Sequence, residues 1–359
     1  MPLRMESGRA VFAGLGCATV VVSCLLSGCG AREETLEAVD CFNRGSAYVD
    51  KGDYDQAIKA YTKAIELKPD YAGAYCCRGI AYCIRGDYGP AIRDLTKAVE
   101  LKPDLAQAYG ERGIAYENKG QYDLAIRDFT KAIELEPDYA PRYHNRGNTY
   151  RLMGRQDLAI RDCTKAIELK PDFVHAYGNR GLAYLDKGEY KLAIRDFTKA
   201  IGLSPDFALA YDYRGLAYYR KGGFDSAILD FAKAITLAPG VAKTYHNRGL
   251  AYFRKGEHDL AIRDFTKALE LKPDLAEAYR ERGAVRCARE EHDLAIRDFT
   301  KAVELKPDYA EAYSGRAMAY SNLKAYDKAW ADVKACGRLG FKVNPRFLAY
   351  LRNASGRSE

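Results

Sequence analysis

Apolar and small residues recur along the chain at helical spacing, in blocks separated by short polar turns. In one block, Tyr177, Gly181 and Tyr184 lie four and three residues apart, which places them on one face of a helix. A second helix is predicted from Leu192 to Leu203. Its inward residues are predicted to be Ala193, Phe197, Ala200 and Ile201. Two amphipathic helices that face each other predict a helix hairpin.

Short turns separate the two helices of each block. Gly188 is predicted to end a first helix in the left-handed conformation, which glycine adopts without strain. Asp123, Asp157 and Asp225 follow the equivalent turns elsewhere, and we expect them to cap the second helices.

The same block returns every 34 residues along most of the chain. The recurring prolines are Pro69, Pro103, Pro137, Pro171, Pro205, Pro239, Pro273 and Pro307. Tyrosines keep the same spacing from Tyr75 to Tyr313, and alanines from Ala57 to Ala329. This pattern of aromatic, glycine, tyrosine, alanine, aromatic and proline resembles the tetratricopeptide repeat family.

The resemblance implies an all-α fold, an α-solenoid of about nine helix hairpins wound into a right-handed superhelix. First helices would line its concave groove. The predicted repeats are 38–71, 72–105, 106–139, 140–173, 174–207, 208–241, 242–275, 276–309 and 310–343. Residues 344–359 are predicted to form a short capping helix and a tail that is disordered from Ser355.

The first 28 residues are predicted to be a targeting segment, with Arg4 and Arg9 before an uncharged, mainly apolar stretch. It ends in Leu26-Ser27-Gly28-Cys29, which resembles the lipobox of bacterial lipoproteins. The resemblance implies lipidation of Cys29, followed by a short linker over 29–37. An uncleaved membrane anchor is the poorer interpretation, because the apolar stretch is shorter than a bilayer span.

Composition and motifs argue against several functions. The 56 basic and 49 acidic residues are mixed, so nothing indicates a nucleic-acid surface. No phosphate-binding glycine loop or nucleophile motif occurs, and we expect no enzyme activity, cofactor or small-molecule substrate. Seven cysteines follow Cys29 without regular spacing, so most are predicted to be buried, and a long-range disulfide stays open.

An arginine precedes the glycine position of every repeat, from Arg44 to Arg316, and an aspartate recurs on the second helices from Asp94 to Asp332. We expect these residues to form bidentate pairs that hold the fold. A residue that reads a ligand would be expected to differ between repeats.

The residue before each arginine does differ between repeats and is predicted to face the groove. Four of the nine are asparagines: Asn43, Asn145, Asn179 and Asn247. The series partly resembles the asparagine ladder of O-linked N-acetylglucosamine transferase, which implies binding of an extended peptide backbone. A solvated polar face is the alternative.

Other groove candidates are apolar or basic. Leu185, Tyr219 and Phe253 follow the last tyrosine of three successive first helices, with Arg220 and Arg254 beside them. They form either an anchor for a partner or packing between repeats. His144, His175 and His246 are also predicted to face the groove, but no third ligand is evident and we expect no metal.

The sequence therefore predicts a non-catalytic scaffold, held to a membrane by its lipid, that binds a protein or peptide partner in its groove. A structural or pilotin-like subunit of an envelope complex, acting through its ends or outer face, is the alternative. The expected location is the bacterial cell envelope, at the outer membrane or cell surface.

Overall fold

The computed structural model describes residues 33–357, so the targeting segment and the predicted lipidation site at Cys29 lie outside the described residues. The described chain consists of nineteen α-helices and has no strand, which confirms the predicted all-α class. It divides into two compact units, the first ending at Lys187 and the second beginning at Gly188.

The first unit contains four hairpins and one further helix. Its helices are α1 (Glu33–Asp50), α2 (Tyr54–Leu67), α3 (Ala72–Arg85), α4 (Tyr88–Leu101), α5 (Ala106–Asn118), α6 (Tyr122–Leu135), α7 (Ala140–Leu152), α8 (Gln156–Leu169) and α9 (Val174–Asp186). Each odd-numbered helix packs against the even-numbered helix that follows it, and successive hairpins pack on one another.

The second unit contains one helix, four hairpins and a final helix. Its helices are α10 (Tyr190–Leu203), α11 (Ala208–Lys221), α12 (Phe224–Leu237), α13 (Ala242–Arg254), α14 (His258–Leu271), α15 (Ala276–Ala288), α16 (His292–Leu305), α17 (Ala310–Asn322), α18 (Tyr326–Arg338) and α19 (Pro345–Ser355). Here each hairpin pairs an odd-numbered helix with the even-numbered one after it, from α11 to α18.

An aromatic ring from the second helix of a hairpin packs against the glycine of the first. At Gly249, an added Cβ would lie 2.8 Å from a ring carbon of Phe265, which is fully buried. Real Cβ atoms do not approach so closely, so the glycine is what lets the two helices meet.

The turn inside each hairpin uses a residue with positive φ. Gly188 has φ 77°, as predicted, while Glu290 and Lys324 adopt φ 63° and 59° at the equivalent position of later hairpins. A side chain is strained in that region, so these two turns are less favourable than the glycine turns.

Two predictions about second helices are wrong. The second helix of the fifth repeat begins at Tyr190, earlier than the predicted Leu192. Asp123, Asp157 and Asp225 lie inside the first turn of their helices, and Gln121, Arg155 and Gly223 occupy the cap positions. Because these aspartates are past the cap, two of them pair across hairpins instead. Asp157 accepts from Lys187, and Asp225 from Lys255, both at 2.7 Å.

The first helix is longer than predicted. α1 begins at Glu33, so residues predicted to form a linker over 29–37 are helical in part. Ala38, in the second turn, is fully buried.

The final helix covers the last hairpin, as predicted. Leu351 is fully buried against Trp330, and the Trp330 indole Nε1 donates to Ser355 Oγ at 3.1 Å. Asn344 caps this helix by accepting from the Arg346 amide. The prediction of disorder from Ser355 is wrong at that residue, because Ser355 is the last residue of α19 and accepts the hydrogen bond from the Trp330 indole.

Candidate partner-binding face

The arginine of most repeats joins three helices. On α5, Arg112 donates through Nε and Nη2 to the Asp128 carboxylate on α6, at 2.6 and 2.9 Å. Its Nη1 donates to Thr96 Oγ1 of the preceding hairpin at 3.1 Å. The guanidinium also lies 5.5 Å from the Tyr109 ring centroid. Burial opposes the charge on Arg112, but its bonds to Asp128 outweigh this and raise its pKa.

The same arrangement recurs along both units. Bidentate pairs form at Arg78 and Asp94, Arg112 and Asp128, Arg146 and Asp162, Arg214 and Asp230, Arg248 and Asp264, Arg282 and Asp298, and Arg316 and Asp332. These arginines therefore hold the fold, as the sequence predicted, and are not available to a partner.

The four asparagines of the predicted ladder are in different environments. Asn43 is exposed, while Asn145 and Asn247 are more than nine-tenths buried. Asn179 is half-buried and contacts His144 of the preceding hairpin. A uniform solvated face is therefore wrong, because each first helix covers part of the one before it. Their role in binding a partner stays a prediction.

His144 is the centre of a small polar network in the first unit. Its Nδ1 lies 3.1 Å from Asn145 Oδ1 and its Nε2 lies 2.8 Å from Asn179 Nδ2. A ring that donates through Nδ1 and accepts through Nε2 satisfies both contacts. Burial lowers the pKa of His144 to about 4, so the ring is neutral at pH 7. The ring centroid of His175 is 6.4 Å away.

A buried ion pair that the sequence analysis missed lies beside this network. Arg142 on α7 is 5% exposed, and its Nη1 is 3.9 Å from Glu111 Oε1 on α5. The guanidinium occupies the space that a side chain at Gly110 would fill. Most repeats carry alanine where Arg142 stands. That departure, together with Gly110 in the preceding repeat, is the signal that could have found the pair.

A second polar network links α5, α7 and α9. Glu117 accepts hydrogen bonds from Thr149 Oγ1 and from Asn148 Nδ2, the latter at 3.1 Å. Burial raises the pKa of Glu117 despite these bonds. Arg151 lies 3.7 Å from Asp186 of the next first helix. First helices of the first unit therefore carry charged groups that differ from one hairpin to the next.

The apolar and basic candidates are distributed over both units. Leu185 is half-buried in the first. In the second, Tyr219 and Phe253 are half-buried, and each packs against a cluster that joins its own hairpin to the next, through Ala251 for Tyr219 and Val285 for Phe253. Packing between helices thus accounts for part of each ring, as one of the two interpretations predicted. Arg220 and Arg254 are exposed, and Arg254 Nε lies 3.4 Å from the Tyr219 hydroxyl.

His246 is half-buried on α13, with its ring centroid 5.6 Å from that of Phe265. Burial lowers the pKa of His246 to about 4.

Neither a metal site nor a membrane-spanning helix is found in the part of the chain that the structure describes. Between residues 33 and 357, no group of three His, Cys, Asp or Glu side chains could hold a metal ion. No helix of this range combines the length and the apolarity needed to cross a bilayer. Burial raises the pKa of the Cys287 and Cys336 thiols to about 11, which keeps both protonated at neutral pH.

Two family descriptions match the sequence. One, "TPR repeat", matches residues 45–83, 79–120 and 181–222. The other, "Tetratricopeptide repeat", matches residues 106–139, 140–173 and 242–275. Together the matches cover more than half of the chain. No curated protein sequence matches it.

Solved structures show the same fold. The APC/C hetero-tetramer Cut9–Hcn1 is 21% identical with a TM-score of 0.58, over 76% of this chain and 55% of that one. A tetratricopeptide repeat protein from Parabacteroides merdae is 20% identical with a TM-score of 0.56, over 70% of this chain and 99% of that one. The C-terminal part of a repeat protein from Cytophaga hutchinsonii is 22% identical with a TM-score of 0.52, over 67% of this chain and 98% of that one.

Proposed function

Because this chain belongs to the tetratricopeptide repeat family, whose arrays are protein–protein interaction scaffolds, we propose that it binds a protein or peptide partner along its first helices. The observation that carries this proposal is a contrast between the two helices of each repeat. Second helices repeat almost unchanged, as in Leu124–Thr130 and Leu260–Thr266. First helices instead carry different polar groups from one hairpin to the next.

We assign maintenance of the fold to the second helices and recognition of a partner to the first helices. The repeated groups of the second helices are used in packing, as Asp128 and Phe129 illustrate at 1% and 0% exposure. Residues that only maintain packing have the same neighbours in each hairpin and need not change. A surface that reads a partner segment must present different chemistry at each step along it.

Arg220 and Arg254 are the best placed groups for contact with a partner in the second unit. Both are exposed, and each follows a half-buried aromatic residue, Tyr219 or Phe253, on the same helix. Arginine beside an aromatic ring is the composition that is enriched at binding hot spots. A partner segment with acidic side chains fits this part of the face.

The proposal places the scaffold at a bacterial membrane, held by lipid on Cys29. The motif Leu26-Ser27-Gly28-Cys29 supports it, and α1 begins four residues after the cysteine. Such a segment spans at most about 14 Å even when extended, so the array would lie close to the bilayer. Substitution of Cys29 by serine in cells fed a labelled fatty acid tests the anchor, since the label must then be lost.

The alternative of assembly through the ends has less support. An array that stacks on another molecule through its last hairpin would leave that hairpin uncovered. Here α19 covers it, and Arg357 lies 2.6 Å from Asp327 as a further contact.

A crosslinking pull-down from native membranes tests the proposal. The variant Arg220→Glu with Arg254→Glu is expected to recover the partner at least about tenfold less well than the natural chain, equivalent to about 1.4 kcal/mol. The matched control, Arg195→Glu with Arg263→Glu, makes the same charge change at exposed second-helix positions of the same unit.

The control variant should recover the partner normally. Equal loss of partner recovery in both variants would mean that binding depends on the net charge of the chain and not on the first-helix face. Loss confined to the control would place binding on the second helices and contradict the proposal.

A further inference from the structure

Ion pairs recur at the hairpin turns of both units. The second residue of a second helix is usually an aspartate, which can pair with a basic residue thirty positions later, at or just after the end of the following helix. For example, Asp225 Oδ1 accepts from Lys255 Nζ at 2.7 Å. The other pairs are Asp55 with Arg85, Asp157 with Lys187, Asp259 with Arg289 and Asp327 with Arg357.

One turn of the second unit carries lysines at both of these positions. Lys191 is the second residue of α10, where the pairs above have their aspartate, and Lys221 is the last residue of α11. Both are exposed, and within the residues that the structure describes neither side chain forms an ion pair. This turn therefore has two positive charges where its neighbours have one charge of each sign.

A second carboxylate is also missing beside Lys221. In the next turn, Lys255 pairs with Glu257 at 2.6 Å in addition to Asp225, and the two carboxylates raise the pKa of Lys255. Gly223 stands at the position after Lys221 that corresponds to Glu257. Lys221 thus lacks both of the carboxylates that Lys255 has.

The fold does not require a glycine at that position. Gly223 caps α12 with φ −87°, a conformation that residues with side chains adopt freely. A Cβ added to it would lie 3.6 Å from the nearest atoms of Tyr218, which is an ordinary contact. An acidic side chain would fit there, so packing is not the reason for its absence.

The two lysines lie close enough to share one ligand. In the following turn the same positions bring Asp225 and Lys255 to 2.7 Å, and in the preceding turn they bring Asp157 and Lys187 to the same distance. α10 packs against α11 as α12 packs against α13. Two ammonium groups at such positions repel each other, so they favour a negatively charged group between them.

Two features indicate that this group is a carboxylate of the partner. The flanking turns hold a carboxylate in this place, so its dimensions suit one. Arg220, which we assign to the partner-binding face, precedes Lys221 at the end of α11, so an acidic segment that contacts the first reaches the second. Lys119 differs, because Gly89 and Gln121 remove its carboxylates without adding a second lysine.

We propose that Lys191 and Lys221 together bind a carboxylate from an aspartate or glutamate side chain of the partner. The proposal rests on the proposed function, because it names a charged group that the partner segment carries. In the flanking turns the chain supplies this carboxylate itself. In this turn the partner supplies it, beside the end of α11 where Arg220 is exposed.

A variant that restores the missing carboxylates tests the site. Lys191→Asp with Gly223→Glu gives Lys221 both of the carboxylates found in the next turn. In a crosslinking pull-down from native membranes, this variant is expected to recover the partner at least about tenfold less well while it keeps its helical signal. The matched control, Lys199→Asp with Gly202→Glu, makes the same exchanges at exposed positions of α10 and should recover the partner normally. Equal loss from both variants, or normal recovery by the first, would overturn the proposal.

A zero-length crosslinker identifies the groups in contact. A carbodiimide joins a carboxylate directly to an amine and does not join it to a guanidinium. Mass spectrometry of the crosslinked complex should find Lys191 or Lys221 joined to an aspartate or glutamate of the partner. Lys191→Arg with Lys221→Arg should keep partner recovery, because the charges remain, but should lose this crosslink. Crosslinks confined to other lysines would contradict the assignment.

Glutarate is the probe that needs no knowledge of the partner, because it presents carboxylates alone. The full chain is labelled with ¹⁵N-glycine, and the amide resonances are followed by NMR during titration. The Gly222 and Gly223 resonances, beside Lys221, should shift with glutarate and not with sodium chloride of the same ionic strength. Gly256 is the internal control and should shift less, because carboxylates already occupy the adjacent Lys255. No response at Gly222, or an equal response at Gly256, would mean that the turn has no carboxylate site.

Failure of this proposal can be told from failure of the proposed function. If the charge reversal at Arg220 and Arg254 loses the partner while the variant with restored carboxylates keeps it, the face binds a partner without this carboxylate site. If glutarate binds but neither variant lowers partner recovery, the turn binds free anions only, and partner binding on this face is wrong as well.

Discussion

From Arg78 onward, the guanidinium of most repeats contacts three helices, but Arg248 lacks one of these contacts. Arg248 has its Asp264 pair, at 2.7 and 2.8 Å, but Ala232 stands where the preceding hairpin usually carries a threonine. Elsewhere that threonine accepts from the arginine, for example Thr266 from Arg282 at 2.9 Å. Arg248 therefore lacks the hydrogen bond to a threonine that most of the other arginines make.

Restoring the threonine should stabilise the second unit. We compare Ala232→Thr with Ala232→Val, because both residues are β-branched and cost the helix about the same. The threonine variant is expected to be more stable by about 1–2 kcal/mol, the range for a hydrogen bond to a charged group in a partly exposed position. Urea unfolding followed by circular dichroism measures the difference.

The same comparison with Arg248→Met in both chains is the control. Without the guanidinium, the threonine and valine chains should be equally stable. A difference that persists there would show that the hydroxyl acts on the helix backbone and not on the arginine.

At the scale of one helix, the effect of a glycine on stability depends on whether a side chain packs against it. Gly249 on α13 lies under the Phe265 ring, whereas Gly202 on α10 has no heavy atom within 4 Å of an added Cβ. A glycine within a helix costs about 0.5–1 kcal/mol relative to alanine. Only at Gly249 does packing require that cost.

Alanine substitutions test this difference. Gly249→Ala should destabilise the chain by about 1–3 kcal/mol, because the ring and helix must shift to admit the methyl group. Gly202→Ala, the matched control, should stabilise it by about 0.5–1 kcal/mol. Thermal unfolding of the two variants measures whether each substitution raises or lowers the stability of the chain. A stabilised Gly249→Ala chain would contradict the packing described for this hairpin.

The sequence was sufficient to predict the hairpins because the same residue types recur at the same spacing. Phe129 and Gly113, or Phe265 and Gly249, meet in the way their helical positions require. Individual helix ends were less predictable. The cap of α6 is Gln121 and not the predicted Asp123, a shift of two residues that periodicity cannot resolve.

The face of the first helices was predicted less well, because its properties depend on pairs of repeats. Asn145 was predicted to face the groove, but it is buried, and its burial depends on the adjacent hairpin, where Asn179 contacts His144. Arg142 was missed since its position normally carries alanine and only Gly110, in another repeat, makes room for it. Such relations are not visible within one repeat.

At the scale of the whole array, contacts are made mainly between neighbouring helices, so damage should stay local. Leu351→Ala removes a fully buried side chain of α19 and is expected to cost about 2–5 kcal/mol there. Hydrogen exchange should accelerate in α17 and α18 and stay unchanged in α11 and α12.

Tyr350→Ala is the control, because the adjacent Tyr350 is 52% exposed and its loss should leave exchange unchanged. Uniform acceleration from α11 to α18 after Leu351→Ala would instead show that the second unit unfolds as one cooperative block.

The arginine contacts also determine how such a chain can grow or shorten. From Arg78 onward, each arginine lies sixteen residues before an aspartate and, except at Arg248, sixteen residues after a threonine, as Arg112 does with Asp128 and Thr96. Excising one 34-residue period from within the array would leave the arginine beside the junction with the same residue spacing, because an equivalent aspartate or threonine from the next repeat takes the place of the one removed. An excision within the array that is not a whole number of periods would separate a buried charge from its partner, which costs about 3–5 kcal/mol. Gene duplication and deletion can therefore change the length of this protein only in whole repeats, and its reach along a partner changes in the same steps.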